Sequence, residues 1–157
     1  MKRILVGIIL ALCLVATSWA LVPQQFFRVH DYTHAARISE MTRAIADGHF
    51  PVRWSQNLGY GYGMPLFNFY APLPYYVGSL LYGSGLDIIV SIKLLFVISN
   101  LVVILGSYKL GRLYFGRSGA VLLAVLIALA PYRALNLYVR GALSESWALS
   151  FMPWILY

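Results

Sequence analysis

Between residues 30 and 76 the chain gathers side chains able to move a proton or hold a phosphate. Asp31 is followed three residues later by His34 and six later by Arg37. Residues at this spacing share one face of a helix. Asp31 and His34 can therefore share a proton or hold a divalent cation, Mg or Mn, and the carboxylate alone can act as a general base. The same Asp can instead cap a helix by accepting hydrogen bonds from its first-turn amides. Farther on, Arg53 stands in the string His49-Phe50-Pro51-Val52-Arg53-Trp54 and can donate two parallel hydrogen bonds to a lipid-linked phosphate. Arg140 precedes Glu145 by five residues, which offers either a second carboxylate for the same chemistry or an ion pair that anchors its own loop.

After Arg53 the chain alternates Gly and Tyr, Gly59-Tyr60-Gly61-Tyr62-Gly63. Glycine lets the backbone adopt conformations closed to other residues or approach a ligand closely. The segment is not a phosphate loop of the Gly-Lys-Ser/Thr kind, since it lacks that ending and a preceding strand. Tyr60 and Tyr62, with Phe67, Phe69 and Tyr70, can stack on the apolar faces of sugar rings, or form an aromatic belt at a membrane surface. Tyr75 is counted with the substrate-facing aromatics, and with Tyr76 and Tyr82 it also suits the headgroup boundary.

The elements that must position these groups belong to a membrane. Of 157 residues 61% are hydrophobic and 11% charged, with mean hydropathy +0.74, too much apolar surface for a soluble domain of this size to hide. The net charge of +7 is spread along the flanks of apolar runs, which argues against nucleic acid and for control of topology and contact with anionic lipid. The single Cys13 excludes a disulfide framework and any Cys-based zinc or redox motif.

Residues 4–22 form an uncharged run of 19, long enough to cross a hydrocarbon core of ~30 Å. Lys2 and Arg3 place its start in the cytoplasm. An uncleaved anchor is favoured by the length of the run; a cleaved signal peptide is the competing reading. Residues 88–108 and 118–135 are predicted as the second and third spans, with Lys109, Arg112 and Arg117 between them on the cytoplasmic side. Residues 147–157 read as an incomplete fourth span, which suggests a truncated membrane domain. The segment 23–87 is then an outer loop carrying two interfacial helices, about 32–47 and 72–83. The first has Ala35, Ile38, Met41, Ala44 and Ile45 at helical spacing, with Arg37, Glu40, Arg43 and Asp47 on its other faces and Gly48 to end it. Its apolar stripe is expected to lie in the headgroup boundary. Lys93, inside the second span, is expected to face protein or a lipid phosphate.

The string from His30 to Tyr76, with its P-x-R-W, G-Y-G-Y-G and P-L-P-Y-Y parts, resembles the amino-terminal part of membrane proteins labelled 6-pyruvoyl-tetrahydropterin-synthase-related, which are themselves similar to GT-C superfamily glycosyltransferases. The resemblance runs from the first span to Glu145. It implies an all-α polytopic membrane protein, here a fragment of a GT-C-like helix bundle, in the inner (plasma) membrane. It further implies transfer of a sugar from a polyprenyl-phosphate donor to an acceptor at the outer face. On that reading Asp31 is the catalytic acid of the first outer loop, with Glu145 as a second carboxylate, and His34, Arg37, Arg53, Tyr60, Tyr62, Tyr75 and Arg140 bind substrate. Asp31 and His34 are then the metal ligands; His30 stands where members carry a second acid. The isolated 157 residues are expected to be inactive. The alternative is a non-catalytic protein that binds or moves lipid-linked glycans or phospholipids.

Overall fold

A computed structural model of the chain describes residues 2–22 and 29–157. The start of the outer loop, residues 23–28, lies outside the described residues. Every regular element among them is helical, and strand-like pairing is confined to one bridge between Ser55 and Met64. Helix α1, Arg3–Ser18, continues through a 3-10 turn at Trp19–Leu21. There follow α2 at His34–Ala46, a single turn α3 at Leu66–Phe69, α4 at Leu73–Gly83 and α5 at Ile88–Tyr114. The chain ends with α6 at Gly116–Ala128, α7 at Pro131–Ala134 running into a π-helical turn at Leu135–Arg140, and α8 at Leu143–Leu156.

Arg3–Leu21 and Ile88–Tyr114, of 19 and 27 residues, are long and apolar enough to cross a membrane. Asp87 starts the second of these by accepting at Oδ1 from the amides of Ile89 at 2.8 Å and Val90 at 3.3 Å, so the first turn of α5 is not left with bare donors. The predicted span 118–135 is not one straight helix. Pro131 has no amide to donate and forces Ala130 into an extended conformation with ψ 132°, so α6 stops and the chain restarts bent by 41°. Counted as one broken span, the pair raises the candidate spans from two to three.

Tertiary contacts divide the chain into two compact units, Met1–His30 with Phe96–Tyr157, and Asp31–Leu95, the boundary falling inside α5. In the first unit α1 packs on α6 over a core of Cys13, Val103, Ile104 and Ala128. Small residues allow the close approach of α5 and α6: a Cβ added at Gly111 would come within 2.7 Å of the Ala120 Cα. Two side chains satisfy a carbonyl left over near the end of α1, Asn100 donating to Thr17 O at 3.0 Å and Tyr138 at 2.6 Å.

The second unit is built on α2 and α4. The predicted apolar stripe is real, but Ile38, Met41 and Ala44 are buried in protein and not laid against lipid, because α4 covers them. Ile45 is left half-exposed. The helices approach closely enough that a Cβ at Gly78 would sit 2.9 Å from Ile38 Cδ1. Helix α2 ends as predicted at Gly48, φ +81°, in a Schellman turn where His49 N–H reaches Ala44 O at 2.9 Å and Gly48 N–H reaches Ile45 O at 3.0 Å. Lys93 is buried, so it faces protein.

Gly111→Leu should overpack α5 against α6 and cost about 1–3 kcal/mol. The expected result is a lower thermal unfolding midpoint in detergent than for Gly7→Leu, whose added side chain meets nothing within 4 Å. Equal midpoints would contradict the close approach.

Candidate functional site

Asp31 does not cap α2; Thr33 occupies that position, and Asp31 stands two residues ahead of it. Its Oδ1 accepts from the Thr33 amide at 3.3 Å and the Thr33 hydroxyl at 2.7 Å, a local Asx turn that fixes the carboxylate relative to the helix start. Its Oδ2 accepts from Arg37 Nη1 at 2.9 Å and from the Tyr70 hydroxyl at 3.1 Å. These four hydrogen bonds match the roughly four lone-pair sites of a carboxylate. The side chain nevertheless keeps 26% of its surface exposed.

Behind it the site is aromatic. Arg37 lies over the Tyr70 ring with Cζ 4.1 Å from the centroid, and its Nη1 also donates to the Tyr75 hydroxyl at 3.1 Å. That hydroxyl is 3.0 Å from Nδ1 of the buried His34. His34 Nε2 is 4.0 Å from Asp31 Oδ2, close enough for charge to be felt but too far for a hydrogen bond. Tyr75 is fully buried, with Phe67 and Tyr70 ring centroids at 5.9 and 5.8 Å, so it cannot stack on a sugar or sit at the headgroup boundary. It is a core residue whose hydroxyl orients Arg37 and His34.

Burial of Asp31 would raise its pKa, but the Thr33 hydrogen bond, the nearby His34 and Arg37 outweigh it and hold the carboxyl down at about 2. Arg37 is pushed upward: burial opposes its charge, while the Tyr75 and Asp31 oxygens more than restore it. Asp31 and His34 do not form a cation site as they stand. Both Asp31 oxygens are engaged, His34 Nδ1 is turned to Tyr75, and no group of three His, Cys, Asp or Glu able to hold a metal occurs among the described residues.

Glu40, expected on a solvated face, is instead 6% exposed and clamps the loop after Arg53. It accepts from Ser55 Oγ at 3.0 Å, the Asn57 amide at 2.9 Å, Asn57 Nδ2 at 2.7 Å and Arg43 Nη1 at 3.3 Å. Its pKa is lowered because these donors outweigh the effect of burial. The loop is closed by paired backbone bonds of 2.9 Å between Ser55 and Met64. At Gly63, φ +77°, a Cβ would meet Trp54 Nε1 at 2.5 Å, so this position requires glycine. Tyr60, φ +59°, and Tyr62 stand at the tip, 103% and 90% exposed. A non-glycine residue held at positive φ is strained, and such strain persists where the surroundings fix it.

Arg53 is not among the hydrogen-bond or ion-pair partners of Asp31. It lines an open groove of about 290 Å³ with His49, Pro51, Trp54 and Gln56. In the other unit, Glu145 accepts from Arg140 Nη1 at 2.8 Å, from Asn136 Nδ2 at 3.1 Å and from the Tyr132 hydroxyl, and Arg140 also donates to Asn136 Oδ1 at 2.6 Å. This ring of contacts ties the π-helical turn to the start of α8, and Glu145 is held below the usual range by Tyr132, Asn136 and Arg140. The sequence pointed to Asp31, His34 and Arg37 together; the roles of Thr33 and Glu40 had no local signal beyond the polar Ser55-Gln56-Asn57 run awaiting a partner.

The chain matches no protein-family model, no curated protein and no solved structure.

Both lowered carboxylates stabilise the second unit above the ordinary carboxylate pKa near 4, and that stability is lost as pH falls toward about 2. The Asp31 shift is worth roughly 2 kcal/mol. Amide hydrogen exchange in α2 should therefore quicken between about pH 4 and about pH 2. Asp31→Asn should show a smaller change over that interval, and an unchanged profile would mean the Asp31 contacts do not form.

Proposed function

We propose that the chain belongs to a polytopic inner-membrane glycosyltransferase of GT-C-like organisation, with its N-terminus cytoplasmic and residues 31–87 at the outer face. It transfers a sugar from a polyprenyl-phosphate donor to an acceptor hydroxyl. One observation carries the reading: a carboxylate held ionised and partly exposed at the start of α2, with its rotamer fixed by Thr33, Arg37 and Tyr70. A side chain locked by its neighbours is what a positioned acceptor group requires.

In the transfer step the acceptor hydroxyl replaces the Tyr70 hydroxyl on Asp31 Oδ2. Its oxygen attacks the sugar's anomeric carbon from the face opposite the leaving phosphate, the carbon–oxygen bond to phosphate breaks, and the hydroxyl proton passes to Asp31. A carboxylate of pKa about 2 is a weak base at rest. Displacing Tyr70 removes one donor and raises the basicity at the moment of transfer. Arg53, in its groove beside Trp54, meets the phosphate, and the exposed Tyr60 and Tyr62 offer stacking faces for the sugar. No step is routed through a metal.

A second reading is favoured by the saturation of Asp31, whose four acceptor sites are already filled: a protein that binds lipid-linked glycans or phospholipids without bond chemistry. The two separate at Asp31. In native membranes carrying the intact protein, Asp31→Asn should lower transfer by about 10²–10⁴-fold while polyprenyl-phosphate binding persists, and Arg53→Gln should weaken that binding. Transfer unchanged by Asp31→Asn would sink the catalytic role and leave the binding protein. Orientation is tested by Tyr60→Cys in a Cys13→Ala background: an impermeant thiol reagent should label it in intact cells, and labelling only after the membrane is opened would place the loop in the cytoplasm.

A further inference from the structure

Arg133 projects from α7 among the helices of the first unit and meets only neutral oxygens. Its Nη2 donates to Asn100 Oδ1 at 3.0 Å and to Ser99 Oγ at 3.4 Å, its Nη1 to Ser150 Oγ at 3.4 Å, and Nε is buried without a partner among the described residues. No carboxylate among the described residues pairs with it, and the nearest in sequence, Glu145, is taken by Arg140, Tyr132 and Asn136. A guanidinium in apolar surroundings with hydroxyls and an amide around it keeps its full charge and lacks a counter-ion.

The same guanidinium, with Tyr132, stands at one end of a groove of about 410 Å³. The remaining wall is apolar, with Val103 and Leu110 from α5, Leu126 from α6 and Met152 from α8. From Val103 to Leu110 the groove follows α5 for about 10 Å, at 1.5 Å per residue. That is shorter than one leaflet, half of the ~30 Å hydrocarbon core. The dimensions fit the upper part of a single acyl chain whose headgroup stays at the surface of the same leaflet. A long isoprenoid would run far beyond the groove.

We propose that this groove is a phospholipid site, in which one acyl chain lies between α5, α6 and α8 and the lipid phosphate meets the Arg133 guanidinium. Arginine is suited to this because its planar fork gives charge-assisted hydrogen bonds to two phosphate oxygens at once. The phosphate supplies the missing counter-charge, and the chain covers apolar side chains that the protein leaves open. The site stands apart from the sugar-transfer reading and does not depend on it.

The test uses the whole chain in bilayer discs of a phosphate-free galactolipid doped with phosphatidylglycerol, with retained lipid counted by native mass spectrometry. Phosphatidylglycerol should be retained about tenfold over its share of the bilayer, a preference of roughly 1.4 kcal/mol. Arg133→Gln should bring retention down to the galactolipid level. Because Arg133 also holds Ser99, Asn100 and Ser150, a second variant leaves the guanidinium in place: Leu126→Trp, from an exposed position on the groove wall, should block the chain and lower retention, whereas Leu122→Trp, exposed but outside the groove, should not. Equal retention of the two lipids would overturn the site, as would retention indifferent to Leu126→Trp. Displacement of phosphatidylglycerol by an equal mole fraction of polyprenyl phosphate would overturn the phospholipid assignment and give the groove to an isoprenoid lipid.

Discussion

An ionised carboxylate leaving water must recover its donors from the protein, and much of this chain's local architecture follows from three carboxylates doing so. Asp31 recovers them from Thr33, Arg37 and Tyr70, Glu40 from Ser55, Asn57 and Arg43, and Glu145 from Arg140, Tyr132 and Asn136. Each set joins segments that helical periodicity alone would leave independent. The first fixes the approach to α2, the second pins a loop onto the same helix, and the third holds an irregular turn against α8. In a chain this poor in charge, every acid with a full donor set is also a statement about which backbone segments must stay together.

Local signals carried much of the fold. The runs at residues 4–22 and 88–108 emerge as α1 and α5, Gly48 ends α2, and the two short helices predicted between the first spans are present as α2 and α4. What periodicity cannot report is the identity of the covering surface. Ile38, Met41 and Ala44 mark an apolar face whether lipid or α4 lies on it, and the structure places α4 there. The same blindness made Tyr75 a surface aromatic in the sequence reading, although a tyrosine at a helix–helix contact has the same neighbours in sequence as one at a membrane boundary.

At the candidate site the legible part was the Asp31, His34, Arg37 spacing, because three residues on one face of a helix need no tertiary information. Tyr70 and Tyr75 join them from 39 and 44 residues beyond Asp31, and nothing in the string foretells that their hydroxyls arrive at the same arginine and aspartate. Glu40 was hidden for a different reason. A glutamate beside an arginine three residues on reads as an exposed ion pair, and only the folded loop shows that its main partners are Ser55 and Asn57. Buried polar networks are assembled by the fold, so their members carry little mark of it in the sequence around them.

The π-helical turn at Leu135–Arg140 amounts to one residue more than an α-helix would use for the same rise. Deleting any one of those six residues would let the backbone close into ordinary α geometry, but everything after it would be turned by about 100° about the helix axis. Arg140 would then swing off Glu145 while the chain remained fully helical. The stretch between Pro131 and Glu145 is therefore constrained in length more tightly than in composition, and a one-residue gap there would change which partners the turn can reach without changing any side chain that makes the contacts.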